Sequence, residues 1–435
     1  MRKWIILVAL LSGCNGGVVE KLLKKDSPYE NYLEHLESSP LGKYALVKDW
    51  KAVGEKVLND SVEITLPYQE IGYFDPKEPD AMMLRYRVEE GHQVEVELKP
   101  ISQIDAQFFM DVFEMDDRGM GIKRIHSADS SGSISYQVKE SGTHALRIQP
   151  ELFRGGVFTL NLNFQGLLSF PLQGKSTTNI ASFWGDPRDG DARKHEGIDI
   201  FSPRGTPVVA ASHGRVRRVG DNRLGGKVVW VANGELGHSQ YYAHLDSQLV
   251  ESGQQVNKGD TLGLVGNTGN AITTNPHLHF GIYKSGHGAV DPFPFLQDRQ
   301  VANEPDISDT IQIGTLALIS SSVANLRAEP STSSAILDNF EKNTLFYIGG
   351  KTGSWYRITM PDGKVGFLFE NLVQQVSKHI QEVELNPLDE VSENWMGALP
   401  VSGNIIAGKA LVMGKFEDSF FVETSSGFTG WWRNR

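Results

Sequence analysis

Three short clusters between residues 193 and 280 carry groups that could bind a metal or move a proton. They are Arg193-Lys194-His195-Glu196-Gly197-Ile198-Asp199, Tyr241-Tyr242-Ala243-His244-Leu245 and Asn275-Pro276-His277-Leu278-His279-Phe280. Seven of the twelve histidines fall between His195 and His287, a clustering that asks for a chemical explanation. Residues 276–283 alternate as a strand does, so His277 and His279 should share a face. Two residues of strand rise separate them by roughly 6.5–7 Å, close enough for one to be a ligand and the other to stand beside the metal. His195 and Asp199 have the i, i+4 spacing of the helical H-E-x-x-H pattern. Gly197, the β-branched Ile198 and Ile200, and Ser202-Pro203-Arg204-Gly205 argue against a helix there. A strand over 197–201, entered from a loop, is predicted instead, and Glu196 receives no general-base role.

Two neutral imidazoles and a carboxylate form a three-ligand set suited to Zn²⁺, with a fourth position for water. Bound Zn²⁺ lowers the pKa of that water to about 7 and polarises a carbonyl. The remaining histidines would hold the hydroxide or stabilise the oxyanion. A lone strand histidine is more often packed or exposed than a ligand. Two pairs at ligand spacing, with His244 in an aromatic context, reverse those odds.

Further motifs surround the clusters: Gly185-Asp186-Pro187-Arg188, Gly205-Thr206-Pro207-Val208, and Gly259-Asp260 through Gly266-Asn267-Thr268-Gly269. Taken together and in this order, they resemble the lysostaphin-type zinc endopeptidases, the M23 metallopeptidase family. The resemblance implies that His195, Asp199 and His279 are zinc ligands. It also implies that His244 and His277 are the two catalytic histidines, which position the water or steady the tetrahedral intermediate. Family members cleave stem or cross-bridge peptides of peptidoglycan, and a minority cut Gly-rich proteins. Some relatives have lost ligands and only activate other hydrolases, but none of the five positions is substituted here. The expected activity is zinc-dependent hydrolysis of peptidoglycan peptide cross-links. A non-catalytic wall-binding or hydrolase-activating lipoprotein, and a zinc protease with a protein substrate, are the alternatives.

The elements that must position these groups read as small antiparallel strands. Gly225-Gly226 and Asn233-Gly234 are hairpin signals, and 266–270 reads as a turn bordering the groove, since it lacks the GK[ST] ending of a phosphate loop. Upstream, Ser27-Pro28-Tyr29-Glu30 is a capping-box pattern, and Leu46, Trp50, Val53 and Val57 recur at helical spacing. From 62 to 164 the period becomes two, in Val62/Ile64/Leu66, Leu84/Tyr86/Val88, Val94/Val96/Leu98, Ile134/Tyr136/Val138 and Leu160/Leu162/Phe164, which suggests a β-sandwich. His92, His126 and His144 lack ligand spacing and are read as structural or surface residues. Asp111, Asp116 and Asp117 lack a calcium-loop pattern.

Beyond a polar linker, Asn325-Leu326-Arg327-Ala328-Glu329-Pro330-Ser331, Ser354-Trp355-Tyr356-Arg357-Ile358 and Asp362-Gly363-Lys364-Val365-Gly366-Phe367-Leu368 resemble bacterial SH3 domains. Residues 410–432 align with 345–368 given one gap, so a second, eroded copy is predicted. Trp431 and Trp432 are read as core packing rather than sugar platforms.

The chain has 435 residues and a net charge of −11, which argues against a nucleic-acid partner. Residues 183–296 contain eleven Lys/Arg and eleven Asp/Glu, so the excess acid lies elsewhere, on solvated surface. Residues 1–13 read as an export signal too short to span a bilayer. They end Leu11-Ser12-Gly13-Cys14, which resembles a lipobox, and Cys14 is the only cysteine. Lipidation at Cys14 would anchor the protein in the cell envelope. Asn15 in place of Asp leans towards the periplasmic side of the outer membrane, if the cell has one.

The expected architecture is mainly β and multidomain. It comprises a lipoprotein signal peptide at 1–13, a helical segment at 14–60, a β-sandwich at 61–165 and an M23-like peptidase domain at 166–300. A linker at 301–312 leads to an SH3-like domain at 313–376 and a degenerate second one at 377–435. The expected partners are peptidoglycan and, through Cys14, a membrane; envelope-protein partners stay unidentified.

Overall fold

The computed structural model describes residues 26–59, 62–101, 106–116, 121–128, 132–188, 190–302, 313–386, 389–392 and 408–433. The signal segment, Cys14 and most of the linker lie outside them. The architecture is mainly β with few helices. No helix among the described residues is long and apolar enough to cross a membrane.

Helix Pro28–Ser38 opens with the capping box: the Glu30 amide donates to Ser27 Oγ at 3.1 Å and the Ser27 amide to Glu30 Oε2 at 2.8 Å. In helix Ala45–Lys56 and the turn after it, Val47, Trp50, Gly54 and Val57 form the buried stripe, rotated slightly from the predicted one. The Trp50 indole donates to the Pro150 carbonyl at 2.9 Å, and the Arg147 guanidinium lies 3.7 Å from the Tyr29 ring centroid. The helices therefore cover the outer face of strands Phe108–Met115 and Gly142–Pro150. That burial on both faces is why Phe108–Met115 shows no alternation to read.

Two sheets form the sandwich over a core that includes Leu84, Val96, Val112, Leu146, Phe158 and Leu160. Its second sheet does not stop at the sandwich. Strand Tyr68–Phe74 pairs with Leu345–Thr352, placing Ile71 opposite Lys351 and Gly72 opposite Gly350, so one eleven-stranded sheet runs into the SH3 region. Glu70, fully buried, accepts from Arg357 Nη2 at 2.8 Å, from Arg357 Nε at 3.0 Å and from the Tyr68 hydroxyl at 2.6 Å. Gly350 makes room for the pair, because a Cβ there would lie 2.4 Å from Glu70 Oε1. Ile71 reaches the SH3 core and Phe367 the sandwich core.

Strands Gly408–Phe416, Ser419–Thr424 and Thr429–Arg433 form a meander like that of Leu345–Thr352, Trp355–Thr359 and Val365–Phe369. Both meanders are bulged between their first two strands, next to Gly350 in one and Gly414 in the other. Phe416 enters the core formed by Leu326, Phe346, Ile348 and Ile358. Trp432 is buried among Val391, Val412 and Val422, and Trp431 packs against the core that holds Phe416, so both rings fill cores.

The ten-stranded sheet carries the three histidine-bearing clusters and has neighbouring strands Ile180–Ser182, Ile198–Phe201, His277–Lys284, His238–Gln248, Gly226–Asn233 and Gly214–Asn222. Its core is built from Ile198, Ile200, Val229, Tyr242, Leu278 and Phe280. Leu168 and Leu172 also pack into this core. At the junction with the sandwich, His92 is bonded through Nε2 to Gln297 Oε1, and its ring lies on Phe164.

Candidate active site

Three adjacent strands bring the histidines and the aspartate together. Ile198–Phe201 pairs antiparallel with His277–Lys284, with Asp199 opposite His279 and Phe201 opposite His277. His238–Gln248 lies on the other side, with Ala243 opposite His279. Alternation then points Asp199, His277 and His279 to one face, while Leu278 and Phe280 go to the core.

His244 would follow its strand away from that face but for a bulge. The register shifts between Val229/Tyr242 and Lys227/Leu245, and His244 has φ 61°, left-handed for a non-glycine residue. The strain is held by three contacts. The His244 amide donates to the Gly225 carbonyl at 2.7 Å, its Nδ1 lies 2.9 Å from the Thr268 carbonyl, and Thr268 Oγ1 donates to the Leu245 carbonyl at 2.8 Å. The predicted turn at 266–270 thus packs on Gly225-Gly226; a Cβ on Gly269 would meet the Gly226 nitrogen at 2.3 Å.

His195 enters from the loop before Ile198–Phe201. Its Nδ1 donates to the Phe183 carbonyl at 2.9 Å, which leaves Nε2 as the lone-pair side. That Nε2 stands 3.0 Å from His279 Nδ1 and 3.1 Å from Asp199 Oδ1, and His279 Nδ1 is 3.0 Å from the same oxygen. Two imidazole nitrogens and a carboxylate oxygen converging on one point are the chemistry of a cation site. Among the described residues this is the one cluster of at least three such groups able to hold a metal. His195, Asp199 and His279 therefore fit a metal ion.

Burial alone would raise the Asp199 carboxyl, but the His195 and His279 imidazoles against it hold it well below the usual carboxylate range. Burial, with the neighbouring His279 and His277, pushes the His244 imidazole down to about 4, so it is neutral near pH 7. His277 donates from Nδ1 to the Asn275 carbonyl at 2.8 Å. His244 and His277, each with Nδ1 on a carbonyl, present Nε2 to the groove, their ring centroids 5.0 Å apart.

The groove encloses about 490 Å³, and the described residues lining it lie between Arg188 and Tyr283. Trp230, Tyr241 and Tyr283 form an aromatic wall on one side. The Glu196 carboxylate accepts from the Tyr283 hydroxyl at 3.4 Å and takes no part in the donor cluster.

The positions identified from spacing and resemblance, His195, Asp199, His244, His277 and His279, all meet here. Cys14 lies outside the described residues. Sequence reasoning missed the supports: Gly197, where a Cβ would lie 2.5 Å from the Phe280 carbonyl and 2.8 Å from the His279 ring, and the contacts of Arg188 and Thr268. Glycine at 197 could have signalled a close approach. Arg188 and Thr268 stood in motifs of the resemblance, but the contacts they make depend on strands brought to them by the fold.

Residues 193–292, which include all five, match Peptidase family M23, and residues 322–374 match the bacterial SH3 domain. An L-Ala–D-Glu endopeptidase of Bacillus subtilis is 36% identical over 140 residues, 30% of this chain and 43% of that protein. The peptidoglycan DD-endopeptidase ShyC of Vibrio cholerae is 35% identical over 100 residues, 23% of this chain and 22% of that protein. The uncharacterized lipoprotein YgeR of Escherichia coli is 38% identical over 104 residues, 23% of this chain and 39% of that protein. The chain spans less than half the length of each of these relatives. The chain thus carries an M23 metallopeptidase domain together with a bacterial SH3 domain.

Proposed function

We propose that the protein is an exported, lipid-anchored zinc endopeptidase that hydrolyses peptide cross-links of peptidoglycan. The observation that carries this reading is the convergence of His195, Asp199 and His279 in a groove that His244 and His277 also face. The relatives named as peptidoglycan endopeptidases support the substrate class, and the lipoprotein relative supports an extracytoplasmic location. Cys14 is the proposed lipidation site, and the SH3 domain is the proposed contact to the wall.

Bound by the three donors, zinc supplies Lewis acidity towards a peptide carbonyl and a water. The chain's own residues then handle the proton. His244, neutral and with its Nδ1 proton committed to Thr268, offers a lone pair at Nε2 to the attacking water. The proton taken there is the one that the leaving amine needs when the C–N bond breaks. His277, beside His244 and likewise with its Nδ1 on a carbonyl, turns Nε2 to the groove and helps to hold the water. The aromatic wall of Trp230, Tyr241 and Tyr283 gives an extended peptide a flat surface to lie along.

The test is mass spectrometry of muropeptides released from purified sacculi by residues 15–435 with zinc, beside the His279→Ala variant. Loss of cross-linked dimers with a matching gain of monomers, absent in the variant, is expected. Wild-type protein that carries zinc and leaves dimers untouched would redirect the reading to a protein substrate. Protein that takes up no zinc would favour a non-catalytic wall-binding role.

A further inference from the structure

Asp199 offers one oxygen to the donor cluster, and its other oxygen is held from behind. Arg188 Nη2 donates to Asp199 Oδ2 at 2.7 Å and to Ser182 Oγ at 2.6 Å, and it lies 3.0 Å from His195 Nδ1. Ser182 is itself opposite Asp199 in the neighbouring strand and passes its proton to Asp186 Oδ2 at 2.8 Å. The Phe183 amide donates to the same carboxylate oxygen at 2.8 Å, closing the turn whose carbonyl receives the His195 proton. One guanidinium therefore ties together the loop that fixes His195 and the strand that carries Asp199. It sits on the two-residue ladder Pro187–Arg188/Arg193–Lys194, with its side chain 27% exposed.

Two effects of opposite sign meet at Arg188. Its positive charge opposes a cation in the cluster. Its hydrogen bond keeps Asp199 turned so that Oδ1 alone faces His195 and His279. Partners that orient a ligand from behind typically contribute about 10–100-fold in metal affinity. Partial exposure lets water screen the charge, whereas it leaves the hydrogen-bond geometry intact.

We propose that Arg188 is a positioning residue for the metal site, setting the orientation of Asp199 and bracing the loop that fixes His195, and thereby the affinity for zinc. This rests on the metal reading above. Zinc affinity is measured by competition with a chromophoric chelator on the full chain, for wild type, Arg188→Ala and Arg188→Lys, with unfolding of each metal-free protein alongside. Arg188→Ala is expected to bind zinc about 10–100-fold more weakly, and Arg188→Lys, which keeps one donor of similar reach, to lose less. Metal-free unfolding midpoints close to wild type are expected, since a purely structural role would lower them instead. Arg188→Ala binding zinc as tightly as wild type, or more tightly, would overturn the proposal and leave the metal reading standing. If Arg188→Ala does not fold, Arg188→Lys decides: affinity equal to or above wild type overturns the proposal, and a measurable loss supports it. Wild-type protein without zinc affinity would overturn both.

Discussion

Asp199 and His279 face each other across two paired strands, and His277 stands two residues away on the same face, so neighbouring imidazoles are assigned different duties. His279 shares the cluster with His195 and Asp199, within 3.0 Å of both. His277 is anchored to Asn275 and looks into the groove beside His244. For His279→Ala, metal analysis and turnover assays should show loss of both zinc and activity. His277→Ala and His244→Ala should keep the metal and slow turnover by about 10²–10⁴-fold, the usual contribution of a proton-transfer group. Zinc missing from His277→Ala would mean that the two roles are exchanged. Turnover near wild type in His244→Ala would remove that residue from the chemistry, along with any functional reason for its left-handed backbone.

At the level of elements, strand Tyr68–Phe74 belongs to two cores at once. Nearly all its residues are buried, so it shows no alternation to mark it as a strand. The same burial makes the Glu70–Arg357 pair sensitive. Both side chains are almost out of solvent, and removing one partner leaves the other charge uncompensated. Glu70→Ala should lower unfolding free energy by about 3–5 kcal/mol in denaturant titrations, while a double Glu70→Leu, Arg357→Met replacement should recover much of it. A single variant within experimental error of wild type would show that the sandwich and the SH3 domain are not coupled through this pair.

For the whole molecule, acid should loosen the fold through buried neutral histidines outside the site. Burial, with His126 nearby, pushes His144 down to about 4; it contacts Tyr136 and Tyr86. Burial, with Lys284 nearby, does the same to His238. Between about 4 and 6.5 the unfolded chain binds protons that the folded chain does not, so unfolding free energy rises with pH there. Stability present above pH 6.5 is lost as pH falls towards 4, by about 1.4 kcal/mol per unit for each group at most. Unfolding at a series of pH values should show this slope, and His144→Gln should reduce it by up to one proton. An unchanged slope in that variant would exclude His144 as a source.

The residue types, the i, i+4 and i, i+2 spacings and the strand alternation determined much by themselves. They singled out the His195/Asp199 and His277/His279 pairs, to which the family resemblance added the role of His244, and they identified most sandwich strands, because period and ligand chemistry are local properties. Only the tertiary structure decided which atoms converge. His195 presents Nε2 because the Phe183 carbonyl takes its other proton, and His279 presents Nδ1 because its strand turns that edge towards Asp199. His244 reaches the groove through a bulge clamped by Gly225 and Thr268. The joining of the sandwich to the SH3 domain was equally out of reach, since Glu70 and Arg357 are 287 positions apart. A pairing at that separation leaves no trace in either local pattern; it follows from which sheet edges meet when the chain closes.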